Sequence, residues 1–159
     1  MAELIRLEDH LRRQRDAGRK LLIPYMTGGL GKDWLDVVRA YADAGADAVE
    51  VGIPFSDPVM DGPTIQAASE EALAQGTDLD QILDQLRGVD AGIPIVVMTY
   101  VNLVFHKGYT RFASEAFLAG VALRTGAFSA AERFFKAGFG RAVLAAGFVL
   151  LAVDFVAVL

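Results

Sequence analysis

The chain alternates short apolar runs with longer stretches whose apolar residues recur every three or four positions. Leu4, Leu7 and Leu11 stand at helical spacing and predict an amphipathic opening helix that Gly18 ends. KLLIPYMT, residues 20–27, is a short apolar run that breaks into GGLG, which reads as a strand and then a loop. Asp33 is placed to cap the helix WLDVVRAYADAG, which stops at Gly45. ADAVEVGI, residues 46–53, predicts a second strand. Helices are expected over residues 64–75 and 79–86, separated by Gly76. IPIVVMTYV, residues 93–101, is continuous and β-branched, as a parallel strand covered on both faces should be. Residues 109–118 return to helical spacing. Strands alternating with helices across short loops predict βαβ units and a parallel sheet.

One stretch breaks the pattern. VEVGIPFSDPVMDGPTIQ, residues 49–66, opens as a strand, yet holds Glu50 between two valines. Period-two alternation puts Ala48, Glu50 and Gly52 on one face and Val49 and Val51 on the other. The valines suit packing against helices. Glu50 and its small neighbours suit a barrel interior near the mouth. A buried carboxylate raises its pKa or finds a hydrogen bond, and either outcome makes a usable general acid or base. A Glu at a strand end that simply reaches solvent is the competing reading. Asp61 falls in the following loop, on the carboxyl side of the strand, where active sites of parallel sheets and barrels lie. Taken alone, Asp61-Gly62 also reads as an ordinary turn. Pro54, Pro58 and Pro63 stiffen that loop. Asp57, before Pro58, reads as structural rather than catalytic.

Composition narrows the classes. At 159 residues, with 53% of them apolar, the chain fits one domain with a real core and is not disordered. The net charge of −5 argues against a nucleic-acid partner, and no basic cluster opposes it. RRQR, residues 12–15, lies on the opening helix and reads as a solvated face. With no cysteines, disulfides, thiolate catalysis and zinc–thiolate sites are excluded, which fits a reducing compartment. The first 18 residues carry charges throughout and no apolar segment of signal-peptide length, so the expected location is cytoplasmic.

IPYMTGG, then DAVEVGIPFSDPVMDGPTIQAA, then PIVVMTYVNLVFHKGYTRF, in this order and spacing, resemble the alpha subunit of tryptophan synthase over residues 1–120. The resemblance implies a (β/α)8 TIM barrel, of which these residues supply the first three to four β/α units. It implies a lyase of tryptophan biosynthesis that cleaves indole-3-glycerol phosphate to indole and glyceraldehyde 3-phosphate by a retro-aldol reaction. It implies no cofactor on this chain, with pyridoxal phosphate held by a beta subunit that receives indole through a tunnel, in an assembly of two alpha and two beta subunits. Glu50 matches the family's catalytic glutamate, which handles the proton at the ring carbon that loses its side chain. Asp61 matches the catalytic aspartate, which hydrogen-bonds the indole N–H and stabilises the cation-like ring. Such a cleavage needs C3 protonated, charge at N–H stabilised and a glycerol hydroxyl deprotonated. Tyr25, Met98 and Tyr100 match the indole pocket, although from the residues alone they read as strand core. Asn102 and the loop Pro54, Ser56, Asp57 and Pro58 match the surface that meets the beta subunit. His106 has no catalytic counterpart and reads as a surface residue. GGLGKDW departs from the small-residue, Asp-Pro ending usual for the family's first loop, but it touches no catalytic position.

The match stops near Gly120. Residues 121–159, VALRTGAFSAAERFFKAGFGRAVLAAGFVLLAVDFVAVL, carry no fourth-strand motif and none of the glycine-rich loops that would hold the substrate phosphate. A complete barrel needs about 200 residues or more. Residues 142–153 are continuously apolar and only Asp154 interrupts the run to the end, so 141–159 reaches the lower edge of a membrane span. The expectation is an apolar helix that packs on the sheet, causes association or meets lipid. Its origin stays open between a frame-shifted reading, a fusion, and a genuine helical cover for the barrel's open edge. The expected function is that of a truncated or frame-shifted alpha subunit, weakly active or inactive alone. The alternatives are a non-catalytic beta-subunit-binding fragment and a membrane-associated remnant.

Overall fold

The computed structural model describes residues 7–121 and the short segment 148–150. The elements run α1 (Leu7–Asp16), β1 (Tyr25–Thr27), α2 (Trp34–Asp43), β2 (Val49–Gly52), α3 (Pro63–Ala74), α4 (Leu79–Leu86), β3 (Ile95–Tyr100), α5 (Val101–Lys107), α6 (Tyr109–Leu118) and β4 (Phe148–Leu150). The sheet order is β1-β2-β3-β4. The first three strands are parallel, with Tyr25 opposite Glu50 and Glu50 opposite Val96. This is the βαβ rhythm that the alternating pattern predicts, and it forms an open arc of parallel strands with helices on one face.

The helix-facing side of the sheet is apolar because alternate strand residues are. Val49, Val51, Ile95 and Val97 pack with Trp34 and Val38 of α2, Leu79, Ile82, Leu83 and Leu86 of α4, and Phe112 and Ala116 of α6. Each large apolar side chain among them stabilises by about 1.5–3 kcal/mol when fully removed from water. Trp34 also donates its Nε1–H to Gln85 Oε1 at 2.8 Å, which ties α2 to α4. The opposite face carries Tyr25, Glu50, Gly52, Met98 and Tyr100, by the same period of two.

Several local expectations change in the fold. The first strand is confined to Tyr25–Thr27; before it, Pro24 has no N–H to give a ladder. The preceding segment is held by a side chain instead, with Leu22 N–H donating to Asp47 Oδ2 at 2.9 Å and Asp47 N–H donating to Leu22 O at 2.8 Å. Asp33 does stand at the N-cap of α2, but its side chain makes no capping bond, and its backbone carbonyl accepts from Asp36 and Val37 N–H. Its φ of −103° and ψ of 11° lie outside the extended region from which an Asp side chain reaches the first turn. Asp78 at the start of α4, with ψ near 175°, is extended and does accept from Gln81 N–H at 2.8 Å. Helix α5 is absent from the sequence pattern: VNLVFHK follows β3 without a loop, so its apolar residues merge into the strand's run. Gly108, at φ +88°, then separates α5 from α6 in a conformation that side-chain-bearing residues rarely adopt.

The tail differs from expectation at Phe148–Leu150. These residues form a strand, antiparallel to β3, pairing Met98 with Leu150, Thr99 with Val149 and Tyr100 with Phe148. The reason is the outer edge of β3, whose backbone groups need partners that an extended segment supplies and a helix does not. Val121 makes a parallel bridge to Ile95 at the other end of the same edge. The rest of the expected apolar helix and of the candidate span 141–159 lies outside the described residues. Among the described residues no helix is long and apolar enough to cross a membrane.

Val149→Pro removes a donor from β4 and should release this edge. By amide hydrogen exchange, the amides of Met98–Tyr100 that face β4 should exchange about fivefold faster per lost bond, each bond being worth about 1 kcal/mol. Amides of Val49–Gly52 should be unaffected.

Candidate active site

The three parallel strands end on the same side, and the loops that follow them share one rim. β1 brings Tyr25, β2 brings Glu50 and Gly52, β3 brings Met98 and Tyr100, and the loop from β2 to α3 brings Asp61. Tyr25, Glu50, Asp61 and Met98 are half-buried, and Tyr100 is 4% exposed. Val49 and Val51 are fully buried on the other face, so the alternation has turned Glu50 away from the core.

Asp61 is the more firmly held of the two rim acids. Tyr100 Oη donates to its Oδ2 at 3.0 Å, and Gln66 Nε2 donates to its backbone carbonyl at 2.8 Å. Gln66 also reaches the Pro58 carbonyl at 3.3 Å, so the first turn of α3 holds both ends of the turn that presents Asp61. Within that turn Asp61 N–H donates to Pro58 O at 3.0 Å. Asp61-Gly62 is therefore a turn and a presented carboxylate at once.

Glu50 donates its backbone N–H to the Pro24 carbonyl at 2.9 Å, but its carboxyl makes no hydrogen bond among the described residues, and burial alone pushes that carboxyl above the ordinary carboxylate range. A carboxyl in that state keeps a proton closer to neutrality and can both give and take one. Burial also pushes the Tyr25 phenol up, opposed by its hydrogen bond with Thr27 Oγ1 at 3.4 Å and assisted by the charges of Asp61 and Glu50. Both acids thus act electrostatically on Tyr25 across a single patch. Gly52 makes room for the tyrosine: a Cβ there would stand 2.1 Å from Tyr25 Oη. Glycine at this position therefore leaves the tyrosine ring its space, at a φ that any residue could adopt.

The loop residues expected at a partner surface divide in two. Ser56, Asp57 and Asn102 are exposed and Pro58 is half-buried, whereas Pro54 is buried and presents no surface. Asp57 accepts from Ser56 Oγ at 2.9 Å, which fits a structural role. Val59 and Met60, 79% and 59% exposed, carry the apolar surface of this loop. Sequence reasoning passed over them because apolar residues beside Asp-Gly look like ordinary loop filling. It also passed over Asp47, 2% exposed and paired with Arg19 at 3.1 Å, at the amino ends of the strands and away from the rim. Lys107 was missed too: it bridges Asp80 of α4 and Glu115 of α6 on the helical layer. His106 is exposed, as expected of a surface residue. No group of three or more metal-binding side chains comes together among the described residues.

Two measurements follow from this geometry. Gly52→Ala should push the Tyr25 ring off the patch and cost about 1 kcal/mol in denaturant unfolding, the low end for overpacking because the half-exposed ring can swing outward. Glu50→Gln should match the parent's stability below pH 4.5, the ordinary glutamate value, where the carboxyl is neutral in both folded and unfolded chains. As pH rises past that value toward Glu50's raised folded pKa, the unfolded chain ionises first and the parent loses stability. The Gln variant should therefore be the more stable protein at neutral pH, as read from chemical denaturation across the pH series.

Comparison with known proteins bears on the whole arrangement. The sequence model described as tryptophan synthase alpha chain matches residues 11–123. The tryptophan synthase alpha chain of Alkalilimnicola ehrlichii is 47% identical over 121 residues, covering 73% of this chain and 44% of that protein. That of Laribacter hongkongensis is 46% identical, covering 73% of this chain and 46% of that protein. Among solved structures, tryptophan synthase subunit alpha from Legionella pneumophila superposes with a TM-score of 0.67 at 36% identity, over 75% of this chain and 47% of that one. A tryptophan synthase structure from Mycobacterium tuberculosis gives a TM-score of 0.68 at 37% identity, over 75% and 48% of the two chains. This chain spans about half the length of the relatives it matches. The sheet arc, the rim with its two carboxylates and the extent of these matches together place the chain in the tryptophan synthase alpha chain family, a lyase family with a TIM-barrel fold.

Proposed function

We propose that the rim formed by Tyr25, Glu50, Asp61, Met98 and Tyr100 is the indole end of a site for cleaving indole-3-glycerol phosphate. The observation that carries this reading is the pairing of two carboxyls in different surroundings on one rim. The Asp61 carboxylate is hydrogen-bonded by Tyr100 at 3.0 Å, while the Glu50 carboxyl has no hydrogen-bond partner among the described residues and is pushed up by burial. Two titratable groups with separated environments supply separate acid–base and charge-stabilising roles. Glu50 serves the proton at the ring carbon. Asp61 accepts from the ring N–H and stabilises the positive charge that develops there. Tyr25 and Met98 flank the ring, and no cofactor enters the chemistry of this chain.

The partner is a beta subunit holding pyridoxal phosphate. Its contact is the loop of Ser56, Asp57 and Pro58 with Asn102, supported from beneath by Pro54. The exposed Val59 and Met60 favour a contact of this kind, since apolar side chains gain most from being covered. Cytoplasmic location follows from the same reading.

The chain described holds the reacting end of the substrate, and nothing among its described residues is a built phosphate cradle. Remote binding energy is what positions a reacting centre, so cleavage by the 159-residue protein should be very weak or absent. A coupled assay for glyceraldehyde 3-phosphate measures it; near-normal turnover, abolished by Glu50→Gln, would overturn the expectation of weak activity. Binding tests the site itself. Indole titrated into the protein should shift the NMR signals of Tyr25 and Met98, and Asp61→Asn should weaken binding about five- to tenfold, the worth of a hydrogen bond to a charged group. Indole that leaves both signals unmoved sinks the assignment of the rim.

A further inference from the structure

One side chain of β3 touches the β2–α3 loop at three places. The Tyr100 ring stacks on Phe55 with centroids 4.7 Å apart and planes inclined by 27°. Its Oη accepts from Met60 N–H at 3.3 Å and donates to Asp61 Oδ2 at 3.0 Å. The order of these bonds matters. A phenol has a single proton to donate, and with the Met60 amide on its oxygen, that proton is directed at Asp61. Burial, set against the Met60 bond and joined by the Asp61 carboxylate, pushes the phenol's pKa up, so the proton stays in place at neutral pH.

We infer that Tyr100 is a positioning residue that locks the Asp61 carboxylate in one orientation, occupying Oδ2 and leaving Oδ1 to accept from a donor on the ligand. Oδ1 has no hydrogen-bond partner among the described residues. The ligand chemistry selected is then a ring with an N–H donor. An isostere carrying sulfur at that position leaves Oδ1 unmatched and should bind less well, because a site built around a hydrogen bond penalises its absence. This role differs from lining the pocket, for which the ring alone would serve. The identity of the ring as indole rests on the function proposed above; the clamp on the loop does not.

Tyr100→Phe keeps the ring and the stack and removes only the hydroxyl. In the full chain, the Met60 amide should exchange about two- to tenfold faster in this variant, the range expected for one neutral hydrogen bond, with Val51 unchanged as a check on folding. Unchanged exchange at Met60 overturns the clamp. Titration with indole and with benzothiophene then reads the orientation. The parent should prefer indole, and Tyr100→Phe should weaken indole binding several-fold and narrow that preference. In an Asp61→Ala background the same substitution should add nothing, since it acts through Asp61. Additive losses overturn the inference and return Tyr100 to a lining role. If Asp61→Ala leaves indole binding unaltered, the indole reading fails instead, and the Met60 exchange still decides the clamp. A further readout serves if Tyr100→Phe folds poorly: in Asp61→Asn, tyrosinate absorbance should show Tyr100 titrating at lower pH, and an unmoved titration counts against the pairing.

Discussion

The parallel register of β2 between β1 and β3 sets everything at the rim. It places Glu50 beside Tyr25 on one side and Val96 on the other, and it sends Val49 and Val51 into the helical layer. Side chains alternate with a period of two, so a slip of one residue would bury Glu50 among Trp34, Ile82 and Leu83 and turn the valines outward. The cost of putting an unpaired carboxylate into that layer is several kcal/mol at least in order of magnitude, which is what fixes the register so firmly. The acid's chemistry and the sheet's pairing are thus the same constraint seen from its two faces.

From that register the loop takes its place. β2 ends at Gly52, which has no side chain because Tyr25 occupies the space, and the chain then turns through Pro54 and Pro58 to Asp61. Two residues hold the loop from opposite sides. Gln66 of α3 gathers the Pro58 and Asp61 carbonyls, and Tyr100 of β3 binds the Met60 amide and the Asp61 carboxylate. Prolines lessen the entropy lost in ordering the loop, and these bonds decide where it is ordered. The exposed side chains of Val59 and Met60 belong to this same anchored turn.

The open side of the arc is managed at β3. A strand edge in water offers backbone groups to any other chain, and here Val121 covers one end in parallel while Phe148–Leu150 covers the other in antiparallel. The antiparallel strand lies against Met98, Thr99 and Tyr100, the stretch of β3 that reaches the rim.

The local code determined much of this by itself. Strand and helix alternation, the opposed faces of VEVG, helices α4 and α6 and the long family motif around Asp61 are all properties of neighbouring residues, and spacing carries them. It could also mark Glu50 and Asp61 as acids on one side of a sheet, without choosing between chemistry and a solvent-facing end or a plain turn. The remainder needed residues far apart in the chain to meet. Tyr100 reads as core until the loop brings Asp61 within 3.0 Å of it, 39 positions away in sequence. Asp47 gains its role only from Leu22 and Arg19, and Lys107 only from Asp80 and Glu115. Helix α5 hides in an apolar run, and Phe148–Leu150 fit a helix by pattern until an unpaired strand edge supplies a better partner for their backbone. Periodicity reports which face a residue takes, while only tertiary packing decides what stands opposite it, because hydrogen bonds and burial depend on distance in space.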